Sequence, residues 1–235
     1  MQAIFFDVDD TLYDQLRPFK QAFEKHFDFN DVPLEPLYTT SRKLSDEVFH
    51  LVENGQMDIQ EMHVYRIKQA LAYFDKDISY KEAVMFQKDY ENFQEAITPF
   101  PDVIDLLELC CQNKVAMGII TNGPLVHQKR KIEQLGIINW IPIENIIISS
   151  EVNVAKPDTR IFRLAESKVQ STNEQIYYVG DSFKNDIIGA KKAGWKTIWY
   201  NHRHHKKLPN TVNSDYTITS KNKLFETSRK IVLGT

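Results

Sequence analysis

Acidic side chains follow short apolar segments at the start and near the end of this chain. Asp7 comes directly after the apolar run 4–6 and Asp9 lies two residues further on, while Asp181 follows the apolar run 176–179 after one glycine. Such runs are typical of buried parallel strands, and ligands of open α/β sheets collect at the carboxyl ends of these strands. We therefore expect the carboxylates to emerge at one sheet edge, where the hard oxygens of Asp7 and Asp181 suit Mg²⁺.

The spacing Asp7-x-Asp9 places two carboxylates at the exit of one strand. Two such groups can divide the work of a reaction, one attacking and the other moving a proton, when their environments differ. A carboxylate is a suitable nucleophile for phosphoryl transfer, because the acyl phosphate that it forms is reactive enough to hydrolyse. The pair therefore favours phosphate chemistry.

Groups suited to holding a phosphate occur in two later segments. Thr121, Asn122 and Gly123 lie between an apolar run and a helix-like segment, where a hydroxyl and free backbone N–H groups can bind an anion. Lys156 adds a positive charge that can contact phosphate oxygens and keep Asp7 ionised. Each signal is weak alone, but their order after predicted strands indicates one active site.

Together these segments resemble the four motifs of the haloacid dehalogenase superfamily of phosphohydrolases, which use an aspartate nucleophile. In chain order the motifs are Asp7-x-Asp9-x-Thr11, Thr121, Lys156, and Gly180-Asp181 followed by Asp186. The resemblance spans the whole chain and is to the subfamily with a helical cap, subfamily I. It implies an α/β fold with a Rossmann-like, three-layer core around a parallel sheet and an inserted cap of four α-helices.

The resemblance also implies catalytic roles. Asp7 corresponds to the nucleophile and Asp9 to the general acid/base, while Thr121 and Lys156 correspond to the residues that hold the phosphate. Asn122 and Gly123 would bind phosphate beside Thr121. Members that displace halide have no acid at the position of Asp9, because a halide leaves without a proton, so Asp9 favours a phosphatase over a dehalogenase.

A Mg²⁺ site is implied as well. Its ligands would be the side chains of Asp7 and Asp181 and the backbone carbonyl of Asp9. Asp186 would act through a bound water or by orienting its neighbours, and direct contact with the metal is left open. The metal would let an anionic nucleophile approach an anionic phosphate.

The domain organisation follows from the change in pattern along the chain. Residues 15–98 contain four amphipathic helix-like segments, one beginning at Ser79 with Glu82 in the spacing of a capping box. Residues 99–235 alternate helix-like and strand-like segments, which is typical of βαβ units. We predict a catalytic core of residues 1–14 and 99–235 and a helical cap of residues 15–98.

The sequence defines the class of substrate less closely than it defines the type of reaction. Three core segments and the motif Trp199-x-Asn201 resemble the bacterial pyrimidine 5′-nucleotidases, which implies nucleoside 5′-monophosphates. The segments are 118–123, 152–162 and 179–189. In the family the leaving group faces the cap, so a sugar-phosphate phosphatase or a phosphomutase remains an alternative. A catalytically silent binding or regulatory module is the non-enzymatic alternative, which would be expected to lack a motif residue.

Composition limits the partners and the location. The formal net charge is −3 and no basic stripe follows a predicted helix, which disfavours nucleic-acid polymers and leaves small phosphorylated metabolites. The acidic N-terminus is unlike a signal peptide, and no apolar run approaches the ~20 residues of a membrane helix. Adjacent Cys110 and Cys111 suit reduced thiols. We predict a cytoplasmic enzyme without membrane contact and leave the oligomeric state open.

Two further groups of residues are weaker candidates. Segment 201–207 is rich in histidine, but structural zinc needs four ligands and no cysteine is near, so we predict a solvated loop. Tyr13, His63 and Arg66 are candidate contacts to a leaving group, although each is also typical of surface or packing positions.

Overall fold

The computed structural model describes residues 3–169 and 175–234. The chain divides into two compact units, Met1–Asp14 with Ile97–Thr235 and Gln15–Ala96. The second boundary therefore precedes Ile97 rather than residue 99. The roles of these units as catalytic core and cap stay predictions.

The first unit contains a parallel sheet of six strands in the order β3-β2-β1-β4-β5-β6. The strands are β1 (Ala3–Phe6), β2 (Ala116–Thr121), β3 (Ile146–Ile148), β4 (Ile176–Gly180), β5 (Lys196–Tyr200) and β6 (Tyr216–Ile218). This is the doubly wound order of Rossmann-like folds, and it confirms the predicted fold class. Strand β6 has no counterpart in the sequence prediction, because two of its three residues are exposed and it forms no apolar run.

Strand β1 lies at the centre of the sheet and is buried on both faces. Ile4 and Phe6 pack into one apolar cluster, whereas Ala3 and Phe5 pack into another. This alternation is expected for a strand covered by helices on both sides. The chain winds from β1 towards β3 in one direction and from β4 towards β6 in the other, so a crevice opens at the carboxyl ends of β1 and β4.

The second unit consists of four helices with an apolar core of its own. They are α1 (Leu16–His26), α2 (Leu34–Glu53), α3 (Ile59–Ala72) and α4 (Tyr80–Gln94). The predicted capping box at α4 is confirmed: Ser79 Oγ accepts a hydrogen bond from the Glu82 N–H, and the Glu82 carboxylate accepts one from the Ser79 N–H. These reciprocal bonds satisfy backbone donors that a helix start leaves unpaired.

Helices of the first unit cover the sheet and connect its strands. They are α5 (Pro101–Gln112), α6 (Leu125–Gln134), α7 (Ser149–Val152), α8 (Thr159–Glu166), α9 (Ile188–Lys192) and α10 (Leu224–Leu233), with a π-helical turn at Phe183–Ile187. Cys110 and Cys111 in α5 are free thiols, as predicted. Over the described residues, every helix is too short or too polar to span a membrane.

Candidate active site

Three carboxylates meet at the crevice between β1 and β4. Asp7 follows β1, Asp181 follows β4, and Asp186 lies in the π-helical turn; one oxygen of each lies within 4.8 Å of the others. Gly180 makes this approach possible, because a Cβ there would lie 2.4 Å from Asp186 Oδ2. The backbone N–H of Ser182 donates to the same Oδ2 at 2.9 Å and fixes the Asp186 side chain. Asp7 and Asp181 therefore lie together as expected, and Asp186 joins them.

The electrostatics of this cluster are unfavourable without a further cation. Burial, together with the charges of Asp186 and Asp9, outweighs the opposing charge of Lys156 and raises the pKa of Asp7 to about 7. Burial, together with the charges of Asp186 and Asp7, also raises the pKa of Asp181 well above its ordinary value. Repulsion among buried carboxylates and a donor set made of hard oxygens both fit a divalent cation such as Mg²⁺.

Lys156 is the cation that the structure provides beside Asp7. Its Nζ donates to Asp7 Oδ1 at 2.6 Å, to Asp186 Oδ1 at 2.7 Å and to Tyr178 Oη at 2.8 Å. An ammonium has three donors, so all of them are engaged. Burial lowers the pKa of Lys156, but the two carboxylates outweigh burial and raise it above its ordinary value. Lys156 therefore orients Asp7, and a phosphate would have to replace one of the three acceptors to contact it.

Tyr178 supplies a polar contact for which the sequence gives no signal. Its hydroxyl donates to the Ile120 carbonyl at 2.7 Å, which leaves the hydroxyl oxygen oriented to accept from Lys156. Tyr178 is fully buried within β4. A tyrosine within an apolar strand is usually a packing residue of the core. Its polar role becomes visible only in the tertiary structure, where Lys156 donates a hydrogen bond to its hydroxyl.

The turn after β2 differs from the expectation of free backbone donors. The Asn122 amide donates to the Lys156 carbonyl and accepts from the Lys156 N–H, each at 2.9 Å, so it fixes the Lys156 backbone. The Gly123 N–H donates to Ser149 Oγ at 3.0 Å instead of remaining free. Thr121 ends β2 and is buried. The predicted phosphate-binding role of Gly123 would therefore require its N–H to leave Ser149.

Asp9 lies in a separate cluster of hydrogen-bond donors. Lys131 Nζ lies 2.7 Å and 2.9 Å from its two oxygens, Gln128 Nε2 donates at 3.1 Å, and the Tyr13 hydroxyl donates at 2.6 Å. Burial raises the pKa of Asp9, but the charge and hydrogen bond of Lys131, together with the hydrogen bonds of Tyr13 and Gln128, lower it to about 2. Asp9 is thus held as a carboxylate.

The segment 201–207 is only partly the solvated loop that the sequence predicts. Residues 204–207 are exposed, but His202 is buried and its Nε2 lies 2.8 Å from the Asp10 carbonyl. Arg203 donates through Nε and Nη2 to both oxygens of Asp10, at 2.8 Å and 2.6 Å, and through Nη2 to Asp14 at 2.5 Å. These bonds clamp the loop that follows Asp9, so the first part of the segment supports the active site.

The three weaker candidates have separate surroundings. Tyr13 contacts Asp9, as described above. Arg66 is buried in the helical unit, where it donates to Gln87 at 2.8 Å. His63 lines a cavity of about 310 Å³ in the same unit. A role for His63 or Arg66 in contacting a leaving group stays a prediction.

Comparison with known proteins agrees with this fold and site. A model of the haloacid dehalogenase-like hydrolases matches residues 1–194. The chain therefore belongs to this family of hydrolases, which confirms the resemblance seen in its motifs.

The similarity to known proteins extends over almost the whole chain. Pyrimidine 5′-nucleotidase YjjG of Escherichia coli is 25% identical over 224 residues, covering 94% of this chain and 95% of the relative. Glyceraldehyde 3-phosphate phosphatase of Methanopyrus kandleri is 29% identical over 199 residues, covering 84% and 83%. The solved structure of the hydrolase YfnB from Bacillus subtilis, bound to magnesium, has a TM-score of 0.66 at 22% identity and covers 96% of this chain and 97% of its own.

Proposed function

We propose that this chain is a Mg²⁺-dependent phosphomonoester hydrolase that forms an aspartyl-phosphate on Asp7. The observation that carries the proposal is the contrast between two carboxylates on one strand exit. Asp7 lies in an acidic cluster and is oriented by Lys156, whereas Asp9 lies among donors. Such opposed environments suit a nucleophile and a proton-transfer group.

The residues that would hold the metal are those of the acidic cluster, together with a backbone oxygen. The side chains of Asp7 and Asp181 offer oxygens within 4.8 Å of each other. The Asp9 carbonyl is the proposed third protein ligand. Both oxygens of Asp186 already accept hydrogen bonds, from Lys156 and from the Ser182 N–H, which favours an orienting role for Asp186. When bound, Mg²⁺ supplies positive charge that offsets repulsion between the nucleophile and the phosphate.

In the first half of the proposed reaction, an Asp7 carboxylate oxygen attacks phosphorus and the bond between phosphorus and the ester oxygen breaks. Lys156 keeps the attacking carboxylate in place through its bond to Oδ1. Asp9 gives a proton to the departing alkoxide, which is a poor leaving group without one. Because Lys131 holds Asp9 as a carboxylate, this step requires Asp9 to take up a proton and exchange that contact.

In the second half, water attacks the phosphorus of the aspartyl-phosphate. Asp9 accepts a proton from this water, and the electron pair of the breaking phosphorus–oxygen bond returns to Asp7. Inorganic phosphate and the Asp7 carboxylate result. The two halves replace one very slow hydrolysis by two easier displacements.

Nucleoside 5′-monophosphates are the proposed substrates. Support comes from the core segments that resemble pyrimidine 5′-nucleotidases and from the similarity to YjjG over 94% of this chain. Sugar phosphates are the second candidate class, because several similar proteins are glyceraldehyde 3-phosphate phosphatases, at identities up to 29%. Both classes present a phosphomonoester to the same residues.

The test measures phosphate release from nucleoside 5′-monophosphates and sugar phosphates, with Mg²⁺ and with EDTA, using Asp7→Asn as the blank. Metal-dependent release favouring pyrimidine monophosphates supports the nucleotidase proposal. Preference for glyceraldehyde 3-phosphate or a related sugar phosphate would change the proposed substrate class and leave the proposed hydrolase activity standing. Absence of release from every ester contradicts the proposed phosphatase, and transfer of phosphate between sugar hydroxyls would indicate a mutase.

A further inference from the structure

Helix α6 carries two side chains whose contacts converge on Asp9. Gln128 and Lys131 are three residues apart and therefore share one face of the helix. Gln128 is buried, and the Lys131 side chain is 17% exposed. Lysines on helices normally extend into water. The largely buried position of Lys131 beside the Asp9 carboxylate therefore indicates a specific role for this lysine.

The Asp9 carboxylate accepts four contacts in this arrangement, close to the full capacity of its two oxygens. Lys131 Nζ supplies two, at 2.7 Å and 2.9 Å, Gln128 Nε2 supplies one at 3.1 Å, and the Tyr13 hydroxyl supplies one at 2.6 Å. An ammonium and an amide nitrogen are donors only, so neither can accept a proton from Asp9. The site is complementary to a fixed, proton-free carboxylate.

Gln128 also connects Asp9 to the turn that holds Lys156. Its Nε2 donates to the Asn122 carbonyl at 3.1 Å as well as to Asp9. Gly123 leaves room for this amide, since a Cβ there would lie 2.9 Å from Gln128 Nε2. Asn122 in turn fixes the Lys156 backbone. Asp9 and Lys156 are therefore positioned by the same turn.

We propose that Lys131 and Gln128 are positioning residues for the second half of the reaction, in which Asp9 accepts a proton from water. This inference rests on the proposed phosphatase function. In that step the water oxygen bonds to phosphorus, the water proton passes to an Asp9 oxygen, and the Asp7 oxygen leaves phosphorus with its electron pair. Water must take the place of one of the four donors at Asp9, and the remaining donors then keep the carboxylate oriented during the transfer.

The test uses steady-state kinetics of Lys131→Met and Gln128→Leu with p-nitrophenyl phosphate, whose leaving group hardly needs a proton. Because kcat/KM reports the steps up to p-nitrophenolate release, we expect it to stay within ~2-fold of the wild-type value, whereas kcat and KM should both fall by ~10-fold. Hydroxylamine-sensitive aspartyl-phosphate should accumulate in the variants at steady state.

Matched variants distinguish positioning from general damage. Lys129→Met changes an exposed lysine of the same helix and should leave both constants unchanged, and Lys131→Arg should restore most of kcat. An unchanged kcat in Lys131→Met, or an equal fall in kcat and kcat/KM, would overturn the inference while leaving the phosphatase intact. A wild-type protein that releases no p-nitrophenolate would overturn the proposed function and the inference with it. If Lys131→Met unfolds, Gln128→Leu carries the same test.

Discussion

Asp7 and Asp9 leave the same strand two residues apart, yet their surroundings are opposite. Around Asp7, the buried carboxylates of Asp7 and Asp186 share the ammonium of Lys156, and the pKa of Asp7 is raised to about 7 by burial and by its acidic neighbours. Around Asp9, three donor side chains surround one carboxylate, and its pKa is lowered to about 2 because they outweigh burial. The comparison shows that local charge balance, rather than position along the chain, distinguishes the surroundings of the two proposed catalytic groups.

Replacing Asp7, the proposed nucleophile, should have the largest effect on activity. We expect Asp7→Asn to reduce phosphate release by at least ~10⁴-fold, because an amide cannot form the aspartyl-phosphate. The fold should persist, since the substitution removes a buried charge from the acidic cluster. Phosphate release and thermal unfolding of Asp7→Asn should be measured beside Asp105→Asn, an exposed acid of α5. Release at the wild-type rate would show that Asp7 is not the nucleophile.

Metal removal should affect the acidic cluster and spare the Asp9 cluster. With EDTA we expect phosphate release to cease, and to return when Mg²⁺ is added. Mg²⁺ should also raise the unfolding temperature of the free protein, since a ligand at 100 times its Kd stabilises by about 2.7 kcal/mol. Differential scanning fluorimetry with MgCl₂, against NaCl of equal ionic strength, measures the shift. A shift that persists in Asp181→Asn would place the cation elsewhere.

Replacing Asp9, the proposed proton-transfer group, should have a smaller effect that depends on the leaving group. For Asp9→Asn we expect kcat/KM to fall by ~10²-fold or more with an alkyl phosphate but by less than ~10-fold with p-nitrophenyl phosphate. The reason is that p-nitrophenolate departs without a proton, whereas an alkoxide does not. Equal losses with the two esters would count against Asp9 as the acid.

The smallest expected effect is a change in stability when the hydrogen bond from Lys156 to the Tyr178 hydroxyl is removed. Tyr178→Phe removes a hydroxyl that accepts from Lys156 and donates to Ile120, leaving buried polar groups unpaired. We expect the free energy of unfolding to fall by about 1–3 kcal/mol. Tyr177→Phe is the matched control in the same strand, because Tyr177 packs in the apolar cluster on the other face of the sheet. Urea unfolding of both variants measures the difference, and equal losses would contradict a specific role for the Tyr178 hydroxyl.

Strands β1 to β5 could be predicted from the sequence because each contains a run of apolar residues. Strand β6 and helix α10 have no counterpart in the sequence prediction, and two of the three residues of β6 are exposed, so the strand has no apolar run. The loop 201–207 was predicted to be solvated because it is strongly polar, whereas Arg203 is drawn inward by Asp10 and Asp14. A charged side chain can be buried when it pairs with a group of opposite charge. The partner of Arg203 is Asp10, which lies almost two hundred residues earlier in the chain.

Sequence alone determined that the motif residues would gather at one sheet edge, because parallel strands present their carboxyl ends together. It also determined the kinds of group available there: carboxylates, a hydroxyl and a lysine. Only the tertiary structure decided that Lys156 would face Asp7 and Asp186, while Lys131 and Gln128 would face Asp9. Electrostatic and hydrogen-bond energies depend on distances of a few ångströms and on burial, and these are set by how helices pack on the sheet.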